Sequence, residues 1–237
     1  MIVVVGMKFE ARIAAGLGVP VICGGDGKNL SSLLTHAMAA GCGGLISFGV
    51  AGGLAPHLKP GICVIGSEII DDEGTRATDA RWALRLTRII PGSVYGAIAG
   101  VRQPIAHASD KRRLHDQTGA LAVDMESHIV GEAAERHGVP FAAIRVVVDP
   151  VGRTIPRSAL AGSRADGTID PIAVMRSLAR YPRDLIGLIR LSLDTRAARA
   201  TLVRGRDLLV PGLGLHEPQF APDGALALKA DPAPADA

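Results

Sequence analysis

Over the first 150 residues, short apolar runs alternate with stretches whose apolar positions recur every three or four residues. The runs read as strands and the stretches as helices. Ile2–Val5 is a strand ended by Gly6, and a helix follows over about Lys8–Leu17. Val19–Cys23 is a second strand, and the turn Gly24-Gly25-Asp26-Gly27 leads into a helix over roughly Leu30–Ala40. Leu45–Val50 is a third strand, running into a glycine turn over Gly49–Gly53. Ile62–Ile70 and Ser93–Val101 are further strands, separated by a helix near Asp79–Arg88. Ser109 or Asp110 caps a basic helix that stops near Gly119. Ala120–Val123 is a short strand, Met125–His137 a helix stopped by Gly138, and Phe141–Val148 a strand rich in β-branched residues. Strands this apolar on both faces call for helices on both sides of the sheet. The expected class is α/β, a three-layer α/β/α sandwich around a central mixed, largely parallel sheet.

The pattern changes after residue 150. Pro150–Pro171 is rich in Gly, Pro and Arg, has no period, and reads as a long ordered loop or lid. Pro171–Leu209 is helical in pattern and broken once at Tyr181-Pro182. Its second half puts Leu185, Ile189 and Leu193 on one stripe, with Arg183, Arg190 and Arg199 elsewhere. Repeated Ala, Asp and Pro after Gly212 read as a disordered tail. One domain over residues 1–209, with a loose tail over 210–237, is the expected organisation.

Composition narrows the class. The 237 residues are 48% hydrophobic and 21% charged, with a net charge of +3, which excludes a disordered chain over most of the length. No run approaches the roughly 18 apolar residues of a membrane span. Met1–Val5 is too short for a signal-peptide core and has no basic flank, so the expected location is the cytoplasm. Cys23, Cys42 and Cys63 are far apart and odd in number, which argues against a disulfide framework or a thiolate metal site. The charge is uneven. Residues 1–150 balance, 151–209 carry 11 basic against 5 acidic residues, and 210–237 carry 1 against 4. With Tyr181 as its one aromatic, the basic segment is a poor nucleic-acid surface. It reads either as helices packed on the core or a subunit interface, or as a basic-rimmed apolar face over 171–209 for an anionic membrane.

Three acidic residues fall at or just beyond strand ends, where α/β sheets place their sites. Glu10 follows the first strand, Glu126 opens a helix, and Asp149 ends the last strand. Each has a structural alternative: a solvated helix residue, a complement to a helix dipole, a turn residue. The seven histidines show no metal spacing; His128, beside Glu126, reads as an ordinary helix histidine, with ligand contact as the alternative, and His57 as solvated. The glycines of Gly49–Gly53 lack the GxGxxG spacing, and Pro56 and Pro60 follow where a phosphate-binding helix should begin.

Taken together, these residues resemble a family. Ser47-Phe48-Gly49-Val50-Ala51-Gly52-Gly53-Leu54-Ala55-Pro56, followed by Lys59-Pro60-Gly61, resembles the ligand-binding loop of the nucleoside phosphorylase and nucleosidase superfamily. Val123-Asp124-Met125-Glu126 and Arg145-Val146-Val147-Val148-Asp149 resemble its ribose-binding and purine-binding motifs, in the right order. Gly6-Met7-Lys8-Phe9-Glu10 is similar to the N-terminal motif of methylthioadenosine/S-adenosylhomocysteine nucleosidases. Gly152-Arg153-Thr154-Ile155-Pro156 and Ala165-Asp166-Gly167-Thr168-Ile169-Asp170-Pro171 resemble the hopanoid-associated phosphorylase branch, to which release of adenine from adenosylhopane is assigned.

The resemblance implies a phosphorylase/hydrolase-like fold, a homo-oligomer, a small or lipid-linked purine nucleoside as substrate, and no cofactor. It makes Asp149 the general acid on the purine and Glu10 the base that orients water. Glu126 binds ribose hydroxyls, Met125 packs on the sugar, and Val50, Ala51, Gly52 and Gly53 line sugar and base. Val50 stands where nucleosidases commonly carry a hydroxyl, and Ile105 near their adenine-stacking aromatic. Glu10 favours hydrolysis. Phosphorolysis, with phosphate held by Lys8, Arg12, Lys28 or the Gly24–Gly27 turn, stays open, as does a binding protein that has lost catalysis.

Overall fold

In the computed structural model, residues 1–24, 27–164, 166–209 and 212–215 are described. β1 (Ile2–Val5) shows how the layers form, because its alternate residues point to opposite faces. Val3 and Val5 join a core with Ile46, Phe48, Ile144, Val146, Trp82 and Leu86. Ile2 and Val4 join another with Leu30, Leu34, Val130 and Ala134. Helices α1 (Lys8–Ala14) and α3 (Ala80–Ile89) cover the first face; α2 (Gly27–Ala39) and α5 (Ser127–His137) cover the second. The three-layer expectation holds.

The other strands are β2 (Val21–Cys23), β3 (Leu45–Gly53), β4 (Cys63–Asp71), β5 (Gly74–Ala77), β6 (Val94–Gly100), β7 (Ala122–Asp124) and β8 (Phe141–Asp149). Their order is β2-β1-β3-β7-β6-β4-β5, and β8 pairs with both β3 and β4. Hydrogen bonds therefore close a ring β3-β8-β4-β6-β7, mixed in direction: β3–β8 is parallel, while β4–β8 and β3–β7 are antiparallel. The pairing of β3 with β7 involves only Gly52 and Gly53.

Several expectations need correction. Gly49–Gly53 is not a turn: these residues continue β3, and Gly49, Gly52 and Gly53 all lack positive φ. They are glycine for space, since a Cβ on Gly53 would stand 2.9 Å from Val147 and one on Gly49 would strike two side chains described below. β5 escapes sequence reading because it is a short polar edge strand with no apolar run. α4 (Ala108–Thr118) starts ahead of the expected caps, with the N–H groups of Asp110 and Lys111 both bonding the His107 carbonyl. The 150–171 loop contains α6 (Arg157–Gly162), and α7 (Pro171–Arg180) is capped by Asp170, whose carboxylate accepts from Ile172 and Ala173 N–H. The expected tail is partly placed. Leu213 is buried, and its carbonyl accepts from the Trp82 indole at 2.8 Å. Residues 210, 211 and 216–237 lie outside the described residues.

α8 (Asp184–Leu209) is one continuous helix with two characters. Ala198, Leu202 and Leu209 are buried in the core, whereas Leu185, Ile186, Ile189 and Leu193 are about half exposed or more. Leu202→Ala should lower stability by about 2–5 kcal/mol, while Ile189→Ser should stay within about 0.5 kcal/mol, both read by urea unfolding. Equal losses at the two positions would contradict this division.

Candidate active site

Glu10 is buried at the third position of α1 and reaches backwards. Its Oε2 accepts from the N–H groups of Gly6 and Met7 at 3.0 and 2.8 Å, satisfying the donors of the two residues that lead into the helix. Its Oε1 accepts from Val50 N–H at 2.7 Å, tying the β1–α1 corner to β3. An ionised carboxylate has about four lone-pair sites. Two on Oε2 and one on Oε1 are taken, so Oε1 retains one.

Arg145 sits in the middle of β8, fully buried, on the face that also carries Phe141, Ala143 and Val147. Its Nη2 pairs with Asp124 Oδ2, donates to Ser47 Oγ at 2.5 Å, and lies 3.3 Å from Glu126 Oε2. Ser127 completes the cluster: its hydroxyl and N–H both donate to Asp124 Oδ2, at 2.5 and 3.1 Å. Among the described residues, Arg145 Nη1 has no hydrogen-bond partner. Glycine makes room for these groups. A Cβ on Gly49 would lie 2.5 Å from Glu10 Oε1 and 2.7 Å from Arg145 Nη1, and one on Gly6 would strike the Glu126 carboxylate.

Three carboxylates thus share one guanidinium. Burial pushes Glu126 up to about 7; Arg145 opposes this, while Asp124 and Glu10 add to it. Burial also raises Glu10, against Arg145 and the three backbone N–H groups. For Arg145, burial works against the charged form, but Asp124, Glu126 and Glu10 outweigh it and hold the group protonated.

Asp149 lies at the other end. Between β3 and β8 the register shifts so that Ala51 faces Val147 and Gly52 faces Asp149, leaving Val148 as an extra residue. Such a bulge re-aims the side chain that follows it. A Cβ on Gly52 would stand 3.5 Å from both Asp149 carboxylate oxygens. Burial raises the Asp149 carboxyl, opposed by Lys111, whose fully buried ammonium pairs with Oδ2. Gly49, beside Glu10, and Gly52, beside Asp149, are three residues apart, about 10 Å at ~3.3 Å per residue. A cavity of about 210 Å³ opens beside Asp149, lined by Arg153, Thr154 and Pro156 and by Gly187, Arg190 and Leu191 of α8.

Of the residues singled out from sequence, Glu10 and Glu126 meet at the arginine cluster, Val50 reaches it through its N–H while its side chain packs on the core of Phe48 and Val146, and Gly52 meets Asp149. Met125 is about one-third exposed next to Glu126. Ile105 packs against the small cluster of Leu54, Ala99, Ala120 and Val123, and Val123 borders Gly52. His128 instead faces Gly100 and is buried, which pushes its pKa down. Lys8 pairs with exposed Asp166 at 3.2 Å rather than with the cluster, and its N–H donates to the Gly167 carbonyl, so the 150–171 segment does lie against the β1–α1 corner. Gly25, Asp26 and the Lys28 side chain lie outside the described residues. Sequence reading missed Ser47, Lys111, Asp124, Ser127 and Arg145 as site residues. The signal for Arg145 was a charge inside an otherwise apolar strand. Lys111, in a basic run on a helix, gave none. Among the described residues no group of His, Cys, Asp and Glu is arranged to hold a metal.

The sequence profile of the phosphorylase superfamily matches residues 3–178. A futalosine hydrolase of Streptomyces coelicolor is 32% identical over 130 residues, covering 46% of this chain and 54% of that protein, so the match spans about half the relative's length. Among solved structures, a 5′-methylthioadenosine/S-adenosylhomocysteine nucleosidase of Helicobacter pylori superposes with a TM-score of 0.61 at 17% identity, over 87% of this chain and 97% of that one. A futalosine hydrolase of the same organism superposes with a TM-score of 0.61 at 16% identity, over 87% and 96%. These likenesses establish the fold.

Glu126 also couples the fold to pH. Its carboxyl titrates near 4.5 when unfolded and near 7 when folded, so folding favours the protonated form. That stabilisation is complete below about 4.5 and is lost as pH rises through about 7. Glu126→Gln should therefore be more stable than the parent at pH 8 and nearly equal at pH 4.5, as read by urea unfolding. A difference that does not change with pH would refute the assignment.

Proposed function

The chain belongs to the phosphorylase superfamily, and from that premise we propose that it hydrolyses the N-ribosidic bond of a purine nucleoside. One observation carries the reading. Glu10, Glu126 and Arg145 gather about Gly49 of a glycine-lined strand, and Asp149 stands beside Gly52 of the same strand.

In this reaction the bond from C1′ to the purine nitrogen breaks, and its electron pair leaves with the base. Asp149 gives a proton to N7, so that the base departs neutral. Glu126 accepts hydrogen bonds from ribose hydroxyls, with Met125 against the sugar. Water attacks C1′ and gives its proton to Glu10, whose Oε1 has one lone pair to hold it. Val50, Ala51, Gly52 and Gly53 line the path, and Ile105 packs towards the base. The excess of carboxylate over guanidinium favours an oxocarbenium-like sugar. It also disfavours a phosphate dianion, which supports hydrolysis over phosphorolysis.

Adenosylhopane is the substrate we favour, supported by the resemblance of residues 152–156 and 165–171 to the hopanoid-associated branch. Incubation with adenosylhopane, methylthioadenosine, futalosine and inosine, with and without phosphate, should release free base without phosphate, fastest from adenosylhopane. Asp149→Asn should lower kcat by about 10²–10⁴-fold. Phosphate-dependent release would favour phosphorolysis. Tight binding without any release from the four nucleosides would favour a non-catalytic binder.

The same reading gives the C-terminal helices a partner, an anionic bilayer. Leu185, Ile189 and Leu193 recur every four residues and so share one face of α8 with Ile186 beside them, while Ile172 and Met175 are exposed on α7. Arg176, Arg180, Arg183, Arg190 and Arg196 surround them as exposed residues. The acidic residues of this stretch are occupied: Asp184 accepts from Ser158, and Asp194 pairs with Arg153. A second copy seated on this face would bring like charges together, whereas anionic lipid would complement them. No helix of the described residues is long and apolar enough to cross a membrane. Co-sedimentation with vesicles should require anionic lipid and fall at least tenfold in L185S/I189S/L193S. Binding indifferent to lipid charge, or dimerisation abolished by the same triple variant, would exclude the bilayer as the occupant.

A further inference from the structure

Lys111 is a charged residue with no contact to solvent, which needs a reason. Its ammonium pairs with Asp149 Oδ2 and donates to the carbonyls of Asp149 at 3.2 Å, Arg153 at 3.1 Å and, more weakly, Pro150 at 3.4 Å. An ammonium has three donors. All of its capacity is spent on one short stretch of chain, residues 149–153, where β8 gives way to the cavity beside Asp149.

Stability is a weak explanation for this arrangement. Desolvating two charges offsets most of their attraction, and an apolar pair of similar volume commonly does as well. What the pair supplies is a single geometry. The terminal torsion of an aspartate is broad and nearly two-fold, so the carboxyl has no local reason to hold one orientation. It also stands on a bulge, where the ladder does not constrain it from both sides.

We propose that Lys111 is a positioning residue: it clamps Oδ2 of Asp149 and the 149–153 turn so that Oδ1 is the oxygen presented to the leaving base. This rests on the hydrolase reading of the site. Its positive charge has a second effect on the same carboxyl. It opposes burial and keeps Asp149 a stronger acid than an isolated buried carboxyl would be, so that the proton passes to the base as the bond breaks. The assignment explains why a helix otherwise rich in polar surface sends one lysine inward.

The test is a set of variants read by free-base release. Lys111→Met should lower kcat by about 10–100-fold with KM within about threefold, and the limb of the pH profile set by Asp149 should move to higher pH. Lys111→Arg, which keeps the charge, should leave that limb in place. In an Asp149→Asn background, Lys111→Met should add nothing to the loss, because Lys111 acts through Asp149. An unmoved limb in Lys111→Met, or an independent loss in the double variant, would overturn the proposal while leaving the hydrolase reading intact. If the parent protein releases no base from any nucleoside, the hydrolase reading fails instead. The clamp is then read from ¹³C-carboxyl NMR, where the Asp149 titration should move up in Lys111→Met, and a coincident titration would overturn it. Should Lys111→Met not fold, Lys111→Gln, neutral but still a donor, takes its place in each measurement.

Discussion

The buried guanidinium of Arg145 is the constraint on which the site depends. An arginine taken wholly out of water is tolerated only when its charge is paired and most of its donors are met, and among the described residues Nε and Nη2 find partners while Nη1 does not. That requirement accounts for much around it. Asp124 supplies the counter-charge, Ser47 and Ser127 supply hydroxyls, and Ser127 in turn holds Asp124. It also accounts for Gly49, because no side chain fits between Arg145 and Glu10. Losing the guanidinium would leave buried carboxylates without compensation, the more damaging half of a buried pair to be left with.

β3 does the spacing. Its glycines occupy ordinary extended conformations, so their role is access rather than φ. Gly49 admits the carboxylate–arginine cluster, Gly52 admits Asp149, and Gly53 admits the Val147 side chain. The strand also closes the ring of five through β7 at Gly52 and Gly53, so the glycines beside Asp149 and Val147 also close the sheet. The shift at Ala51/Gly52 adds the last adjustment, setting Asp149 opposite Gly52 at the end of β8.

The architecture was legible in the sequence wherever packing follows from pattern. β1, β3 and β8 are apolar on both faces because both faces are covered, and α5 stops at Gly138 as the sequence implied, with that glycine in the left-handed conformation. The glycine run misled because glycine signals turns and close approaches alike, and only the neighbouring Glu10 and Arg145 distinguish them. Glu10, Glu126 and Asp149 were legible as carboxylates at strand ends. Their partners were less so, since pairing across 98 residues, as from Ser47 to Arg145, leaves no local trace. Lys111 was hidden most completely. Its neighbours Arg112 and Arg113 are exposed, and nothing in a run of three basic residues says which one turns inward.

The two ends of the site differ in charge balance, and that difference bears on the proposed reaction. At the Gly49 end, Glu10, Asp124 and Glu126 face one guanidinium, and burial pushes Glu10 and Glu126 towards their protonated forms, so each ionisation there adds negative charge in a buried place. At the Gly52 end, Asp149 faces Lys111 one to one. Breaking an N-ribosidic bond separates charge in the matching sense: the sugar becomes positive and the base negative. A fixed field of this polarity costs no reorganisation when the charges develop, which is how preorganised sites lower barriers. Such a field acts on a transition state more than on a neutral nucleoside, so it would favour the proposed reaction over mere binding. Substituting a phosphate for water would place a dianion against the negative end and reverse part of that advantage. Electrostatics and the spare lone pair on Glu10 therefore argue for the same nucleophile from independent observations.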